Sequence, residues 1–288
     1  MKSITIKSHD QSTFADKSVT EVEGFTLFQT ASAENRNFNY AKSILSILLI
    51  FVSLSLYGQE TEKKNHLSGT ITATNNGISI IPSFSLGRPA VFFDLSMGGD
   101  RLSFDPMLRF GMDGKPWSFI LWGRYKVIKD KRFSLTVGGH PAFLFQEKEI
   151  IVDGKEEKVF VANRYLAGEI NTNFKLNDRY SIGLYYLKGN GIQVISAKSS
   201  DFLAFNVGLP ELRLGKEVSL MVNPQVFYLV VDGNSGYYAN AAFTLKKGDF
   251  PLKFQTFFNQ KIKSDIAGED LVWNVSLLYG FEHKFSKK

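Results

Sequence analysis

The chain of 288 residues contains no cysteine, so a disulfide framework, a thiolate metal site and a cysteine nucleophile are excluded. A lipoprotein anchor is excluded as well, because it requires a cysteine directly after the signal segment. Histidine is scarce, and His66, His140 and His283 are too far apart in sequence to form a local metal-binding pair. We therefore expect neither a metal nor a cofactor.

Long apolar runs are also scarce, and the mean hydropathy is close to zero, which excludes a bundle of membrane helices. One run, residues 43–57, spans about 15 residues, follows Lys42 and carries no charge. This pattern is typical of the apolar part of a secretory signal. We assign residues 1–58 to a leader and signal segment. The polar residues 1–41 are explained by a removable leader or a misplaced start, and the alternative is a tail before an uncleaved anchor.

From residue 77 onward the chain alternates apolar and polar residues between short turn signals, which predicts β-strands. Several of these strands exceed the usual length of about 5–6 residues in soluble sheets and match the roughly 9–11 residues of a tilted membrane strand. Twelve strands are predicted, at residues 78–86, 90–98, 102–112, 117–128, 133–145, 159–176, 180–189, 202–213, 217–231, 237–246, 252–262 and 271–285.

The connections between these strands fall into two classes. If the first strand runs outward, the inner turns, such as residues 98–101 and 129–132, are short and polar. Outer connections at residues 146–158, 189–201 and 263–270 are long, whereas those at residues 87–89, 113–116 and 232–236 are short. Short periplasmic turns, longer outer loops and an even strand number are rules of outer-membrane barrels. We assign residues 77–288 to the barrel and 59–76 to a periplasmic lead-in, although residues 66–76 also alternate and would serve as a further strand or an extension of the first.

The last predicted strand separates two faces. Trp273, Leu277 and Phe281 alternate with Asn274 and Ser276, which suits lipid on one side and a polar interior on the other. A soluble β-sandwich with a solvated polar face is the alternative. It explains neither the long strands nor the aromatic residues near strand ends.

Three stretches carry a family resemblance: the signal end at residues 54–59, the opening at residues 77–112 and the terminal strand at residues 273–285. With them the chain resembles small, uncharacterised outer-membrane β-barrel proteins of the Bacteroidetes type. The resemblance implies a closed antiparallel transmembrane β-barrel of about 12 strands in the cell outer membrane. It implies lipid and the barrel-assembly machinery as partners, the latter through the terminal strand, and no established activity. No nucleic-acid partner is expected.

Charged residues on the predicted inner faces are the candidate pathway residues. Buried charges must pair, so one reading is a structural membrane component whose lumen is closed by its own ion pairs. In the other reading the basic residues line a pathway for small polar or anionic solutes through a narrow channel. The residues are Asp105, Arg109, Arg124, Lys126, Glu169, Lys253 and Lys261.

Two further functions are open. A lipid-modifying barrel enzyme would use His140 as its catalytic residue, although this histidine is predicted to face the lumen, without a serine partner, and filling the lumen is the simpler role. P-loop, HExxH and Gly-x-Ser-x-Gly motifs are absent, so an enzyme is the less favoured class. A surface-binding barrel would act through the outer loops at residues 146–158 and 189–201. Internal prolines predict bulges or kinks, at Pro106, Pro141, Pro210 and Pro224.

Overall fold

The computed structural model describes residues 4–6, 64–152, 155–192 and 197–286. The expected signal segment and residues 59–63 lie outside this part. The described residues form fourteen strands and one short 3-10 helix, Pro82–Phe84. The strands are β1 (Ile4–Ile6), β2 (Lys64–Thr74), β3 (Ala90–Gly98), β4 (Leu102–Gly111), β5 (Pro116–Lys129), β6 (Phe133–Val152), β7 (Lys155–Lys175), β8 (Ser181–Gly191), β9 (Ser199–Gly208), β10 (Leu212–Arg213), β11 (Val218–Val231), β12 (Asn234–Lys247), β13 (Leu252–Ser264) and β14 (Leu271–Ser286).

Twelve of these strands close into an antiparallel barrel. Strands β2 to β9 pair in sequence order, β9 pairs with β11, and β11 to β14 continue the order. The ring closes between β14 and β2, where Ser286 stands opposite Lys64 and Ser276 opposite Thr74. Closure leaves the ring without free edges, as a membrane barrel requires. The predicted fold class is therefore confirmed. Strand β1 adds to the edge of β6, and β10 pairs with the lower part of β11.

The first barrel strand differs from the prediction. Strand β2 pairs with both β3 and β14, so the lead-in assigned to residues 59–76 is wrong for residues 64–74. The predicted strand at residues 78–86 is also wrong, because residues 75–89 form the connection between β2 and β3 and contain the Pro82–Phe84 helix. Proline cannot donate to a ladder. Ile78 and Ile81 before it are half-buried and border the lumen instead of facing lipid. One strand is lost and one gained, so the count stays at twelve.

The two ends of the barrel differ as predicted. Short turns, such as residues 99–101, join the strands at one end. The first barrel strand begins there at Lys64, and the last one ends there at Ser286. We call it the periplasmic end and the opposite one the outer end. Strands β6 and β7 reach 20 and 21 residues, so the outer loop predicted at residues 146–158 is mostly a continued hairpin.

The exterior of the barrel is apolar and its interior is polar. In β14, Trp273 is 48% exposed and faces outward, whereas Asn274 is 7% exposed and faces inward. Large outward side chains on the other strands, Phe104, Leu166 and Phe205 among them, are exposed in the same way. A soluble protein does not expose so large an apolar surface, whereas lipid covers it in a membrane barrel. The barrel therefore spans the outer membrane. No helix in the described residues is long and apolar enough to cross a membrane.

The internal prolines interrupt ladders but mostly do not create bulges. The β3–β4 ladder is interrupted at Pro106 and the β5–β6 ladder at Pro141, and neither interruption shifts the register. Pro224 stays paired with Ala241, and Pro210 lies between β9 and β10, where one extra residue separates the two ladders on β11. A missing N–H explains each interruption. The predicted bulge is thus found only near Pro210.

Candidate functional site in the barrel lumen

The outer end of the lumen is filled by residues 75–89, which we call the plug. On one side of the ring Ile81 packs against the buried cluster that contains Phe227 and Leu229. On the other side Phe84 packs against Trp117 and Tyr165, and its ring centroid lies 5.2 Å from that of Tyr165. Because β5, which carries Trp117, stands five strands from β11 in the ring of twelve, the plug crosses the lumen.

Hydrogen bonds hold the plug in this position. The indole Nε1 of Trp117 donates to the carbonyl oxygen of Phe84 at 2.9 Å. At the neck, the amide of Gly77 donates to Arg88 O at 2.9 Å, and the amide of Leu86 donates to Gly77 O at 2.8 Å. A Cβ at position 77 would lie 3.0 Å from that of Leu86, which explains the glycine. The plug therefore buries backbone groups that are already bonded.

The loop at residues 265–270 adds to this cover. Ile266 is buried in the same cluster as Phe227, and its amide donates to Ser264 Oγ at 2.9 Å. Lys261 holds the loop from below, because its Nζ lies 2.6 Å from Asp270 Oδ1 and donates to Gly268 O at 3.0 Å. Lys261 thus stands at the outer end and contacts a loop.

Four side chains lower in the lumen form a bonded network, which we call the belt: Asp105, Arg124, Glu169 and Tyr185. Arg124 binds Asp105 Oδ2 through Nη1 at 3.0 Å and Glu169 Oε1 through Nε at 2.6 Å. The Tyr185 hydroxyl donates to Glu169 Oε2 at 2.7 Å. Each carboxylate of the belt is therefore paired, as buried charges require.

The belt follows the wall of the barrel. Its members come from β4, β5, β7 and β8, and Arg124 reaches Glu169 across β6 at Gly138. A Cβ at Gly138 would lie 2.9 Å from Glu169 Oε1 and 3.1 Å from Arg124 Cγ. Two hydroxyls complete the belt, because Ser96 and Ser103 donate to the two oxygens of Asp105 at 2.6 and 3.0 Å.

Open space remains beside the belt. A cavity of about 680 Å³ at the periplasmic end is bordered by Arg124, Asp105, Lys253 and Glu282. The belt thus borders this space without filling it. Lys253 is one of its lining residues, and Lys126 is exposed nearer the periplasmic mouth.

A second pair of opposite charges lies above the belt. Asp94 on β3 and Arg109 on β4 are diagonal neighbours, since Phe92 stands opposite Arg109 and Met107 opposite Asp94. The Arg109 guanidinium lies 5.2 Å from the Phe92 ring centroid and 5.6 Å from that of Trp117. Asp94 Oδ1 and Arg109 Nε are buried without a hydrogen-bond partner among the described residues. We call this pair the dyad.

His140 faces the lumen, as predicted, and is 9% exposed. Its ring centroid lies 4.0 Å from that of Trp122 in an edge-to-face arrangement, and its Nδ1 has no partner within the described ranges. In these ranges no serine is hydrogen-bonded to His140, and no group of histidine, aspartate and glutamate residues could hold a metal. The contacts are those of a residue that fills the lumen.

Uncharged amides and hydroxyls line the wall opposite the belt. Asn240 donates to Gln225 Oε1 at 3.0 Å, and Gln255 donates to Thr244 Oγ1 at 2.8 Å. Asn274 Nδ2 donates to the carbonyl oxygen of Asn76 in the plug at 3.0 Å. A cavity of about 360 Å³ lies between this wall and Asp94.

The structure divides the predicted pathway residues into groups. Asp105, Arg124 and Glu169 meet in the belt, whereas Arg109 stands above it with Asp94. Lys126 and Lys253 lie toward the periplasmic end and Lys261 at the outer end. Sequence reasoning missed the plug, whose Pro82 was the available signal, and the residues Asp94, Gly138 and Tyr185.

Among solved structures, outer-membrane barrels resemble this chain at low similarity. No family model and no curated protein matches it. The KdgM porin in complex with disordered oligogalacturonate is 10% identical with a TM-score of 0.45, over 75% of this chain and 99% of that one. An outer-membrane channel from Pseudomonas putida F1 is 11% identical with a TM-score of 0.41, over 79% and 97%. The β domain of the Bordetella autotransporter BrkA is 10% identical with a TM-score of 0.39, over 77% and 99%. None of these likenesses transfers a function to this chain.

Proposed function

We propose that this barrel is a narrow passive channel for small polar solutes and that the plug closes it at the outer end. The observation that carries the proposal is that the belt follows one wall of the lumen, whereas the plug crosses it. The belt runs along one wall beside a cavity of about 680 Å³, whereas the plug crosses from β5 to β11. A permanently closed barrel would not need a cavity of this size below the plug.

The cavities of the lumen adjoin one another. Met107 and Arg124 border both the periplasmic cavity and a mostly apolar cavity of about 370 Å³ beneath the plug. Ile78 of the plug borders the upper cavity and the one beside the amide wall. Moving the plug would therefore join these spaces into one passage.

The lining suits polar solutes more than anions. Three carboxylates and two guanidiniums lie at the middle of the lumen, in the belt and the dyad, so their charges nearly cancel. The opposite wall offers amides and hydroxyls without charge. A mixed lining of this kind excludes neither sign strongly and favours solutes that hydrogen-bond.

Export, membrane insertion and kinship are further proposals. Export through residues 43–57, insertion by the barrel-assembly machinery through β14, and kinship with the Bacteroidetes-type barrels rest on the sequence patterns. Contact with membrane lipid is supported by the apolar exterior, such as Trp273. The lipid-enzyme alternative has no support from the contacts of His140.

Surface binding stays a second candidate on one observation. The hairpin of β6 and β7 is the longest in the described sheet, at 20 and 21 residues. Such a length carries it beyond the roughly 9–11 residues that cross a bilayer. Shortening this hairpin would remove binding to a partner while leaving conductance unchanged.

The channel is tested in planar bilayers with the purified chain and a variant in which residues 78–86 are replaced by a short Gly-Ser linker. We expect rare, brief openings of the unchanged chain and steady discrete conductance of the variant. The control is the same replacement within the periplasmic turn at residues 130–132, which should leave the rare openings unchanged. If the plug variant folds, as judged by its heat-modifiable mobility, and stays silent, the channel function is wrong.

A further inference from the structure

The dyad differs from the belt in one respect: its two opposite charges attract each other through space but are not hydrogen-bonded to each other. Both carboxylates of the belt accept hydrogen bonds from Arg124. By contrast, Asp94 and Arg109 form neither a hydrogen bond nor an ion pair with each other, or with any other residue, in the part of the chain that the structure describes. Asp94 and Arg109 are half-buried, and a charged group with a buried atom that lacks a hydrogen bond is costly, so the pair calls for an explanation.

The two groups are held apart by their surroundings. The Arg109 guanidinium lies over the Phe92 and Trp117 rings, which keeps it on its own side of the wall. Asp94 borders the periplasmic cavity and the cavity of the amide wall, whereas Arg109 borders the apolar cavity beneath the plug. The negative group thus faces the lower spaces and the positive group faces the upper one.

We propose that the dyad binds a small zwitterion, an α-amino acid with an apolar side chain. Its carboxylate accepts hydrogen bonds from Arg109, and its ammonium group donates to Asp94. Its side chain enters the apolar cavity of about 370 Å³, whose lining includes Trp117, Trp122 and Phe84. A cavity of this volume is at the lower end of small-ligand pockets.

Other ligand classes satisfy only part of the dyad. A simple anion would pair with Arg109 but lie beside the unpaired Asp94, and a simple cation would meet the converse problem. A zwitterion pairs both charges and leaves the local charge unchanged. The inference rests on the proposed function, because a solute reaches the dyad through the lumen, and it names the solute class that this passage favours.

The test is a titration of tryptophan fluorescence on the full chain in detergent, with Trp273→Phe so that the two remaining tryptophans, Trp117 and Trp122, both line the apolar cavity. The probes are L-leucine, 4-methylpentanoate, which lacks the ammonium group, and 3-methylbutylamine, which lacks the carboxylate. We expect saturable binding of leucine, at least 10-fold tighter than binding of either analogue.

Variants assign the binding to the dyad. Arg109→Gln and Asp94→Asn should each weaken leucine binding at least 10-fold, and Asp94→Asn should bind 4-methylpentanoate better than the unchanged dyad does. Lys129→Gln, which removes a charge at a periplasmic turn, should bind leucine normally. Equal binding of leucine and 4-methylpentanoate would show a plain anion site and overturn the proposal, as would the absence of saturable binding by any probe.

The comparison of the three probes needs no dyad variant, so it decides even if one variant fails to fold. Binding is also measured without a membrane. A chain that binds leucine but never conducts would contradict the channel and leave the site standing. A chain that conducts but does not distinguish leucine from its analogues would contradict the site and leave the channel standing.

Discussion

The plug and the belt occupy the same lumen but stabilise it in different ways. The plug crosses the ring, and its half-buried Ile81 and Phe84 pack against clusters on β11 and on β5. The belt stays on one wall, where Arg124 joins Asp105 and Glu169. Apolar contacts of the plug are non-directional and can form and break as a unit, whereas opening the belt would leave its charges without their opposite partners. Charges in a barrel lumen therefore need not close it, and a short apolar segment can.

The largest stability effect is expected from Arg124→Gln. It leaves the carboxylates of Asp105 and Glu169 buried without their cation, which costs about 3 kcal/mol. The free energy of unfolding, from urea titration in detergent, should fall by this amount. Lys253→Gln is the matched control, because Lys253 borders the periplasmic cavity outside the belt and should cost less than about 1 kcal/mol. Equal losses in both variants would show that the belt does not stabilise the wall.

A smaller loss is expected from Gly138→Ala. The new Cβ would lie 2.9 Å from Glu169 Oε1, so the pair with Arg124 must shift, at a cost of about 1–2 kcal/mol in the same titration. Gly123→Ala is the control, since a Cβ there would meet its nearest atom, Gly139 O, at 3.9 Å. A neutral Gly138→Ala would mean that Arg124 and Glu169 adjust freely.

The smallest effect is expected from His140→Phe. The phenyl ring keeps the contact with Trp122 and removes the unpartnered Nδ1, so the free energy of unfolding should change by less than about 1 kcal/mol in either direction. Any hydrolysis of lipid esters by the purified chain should be unchanged. Loss of such an activity in a folded variant would return His140 to a catalytic role.

Much of the sheet could be predicted from the sequence. Strand alternation depends on neighbours in the chain, and the turn residues between strands are local signals, so eleven of the twelve strands were located. The first strand was misplaced because residues 66–76 and 78–86 both alternate. Only the closing partner, β14, distinguishes them, and that pairing is not local.

The lumen was predictable in part. The inward direction of Asp105, Arg124 and Glu169 followed from the alternation, but their meeting did not. Their meeting depends on Arg124 passing over β6 at Gly138. A glycine in a strand can mark a bulge, a bend or a close approach, so the sequence alone does not identify this contact. The plug was missed for a similar reason, since Ile78 and Ile81 suit a strand as well as a segment folded into a lumen.

The most direct test of the central claim compares the open probability of two single variants in planar bilayers. Ile81→Asn places an amide among Phe227 and Leu229, which weakens plug docking by about 2 kcal/mol and should raise the ratio of open to closed channels roughly 30-fold. Ile80→Asn, at a side chain already 46% exposed, should raise it far less. Arg124→Gln should leave the open probability near that of the unchanged chain. If Arg124→Gln opens the channel and Ile81→Asn does not, the belt closes the lumen and the claim is wrong.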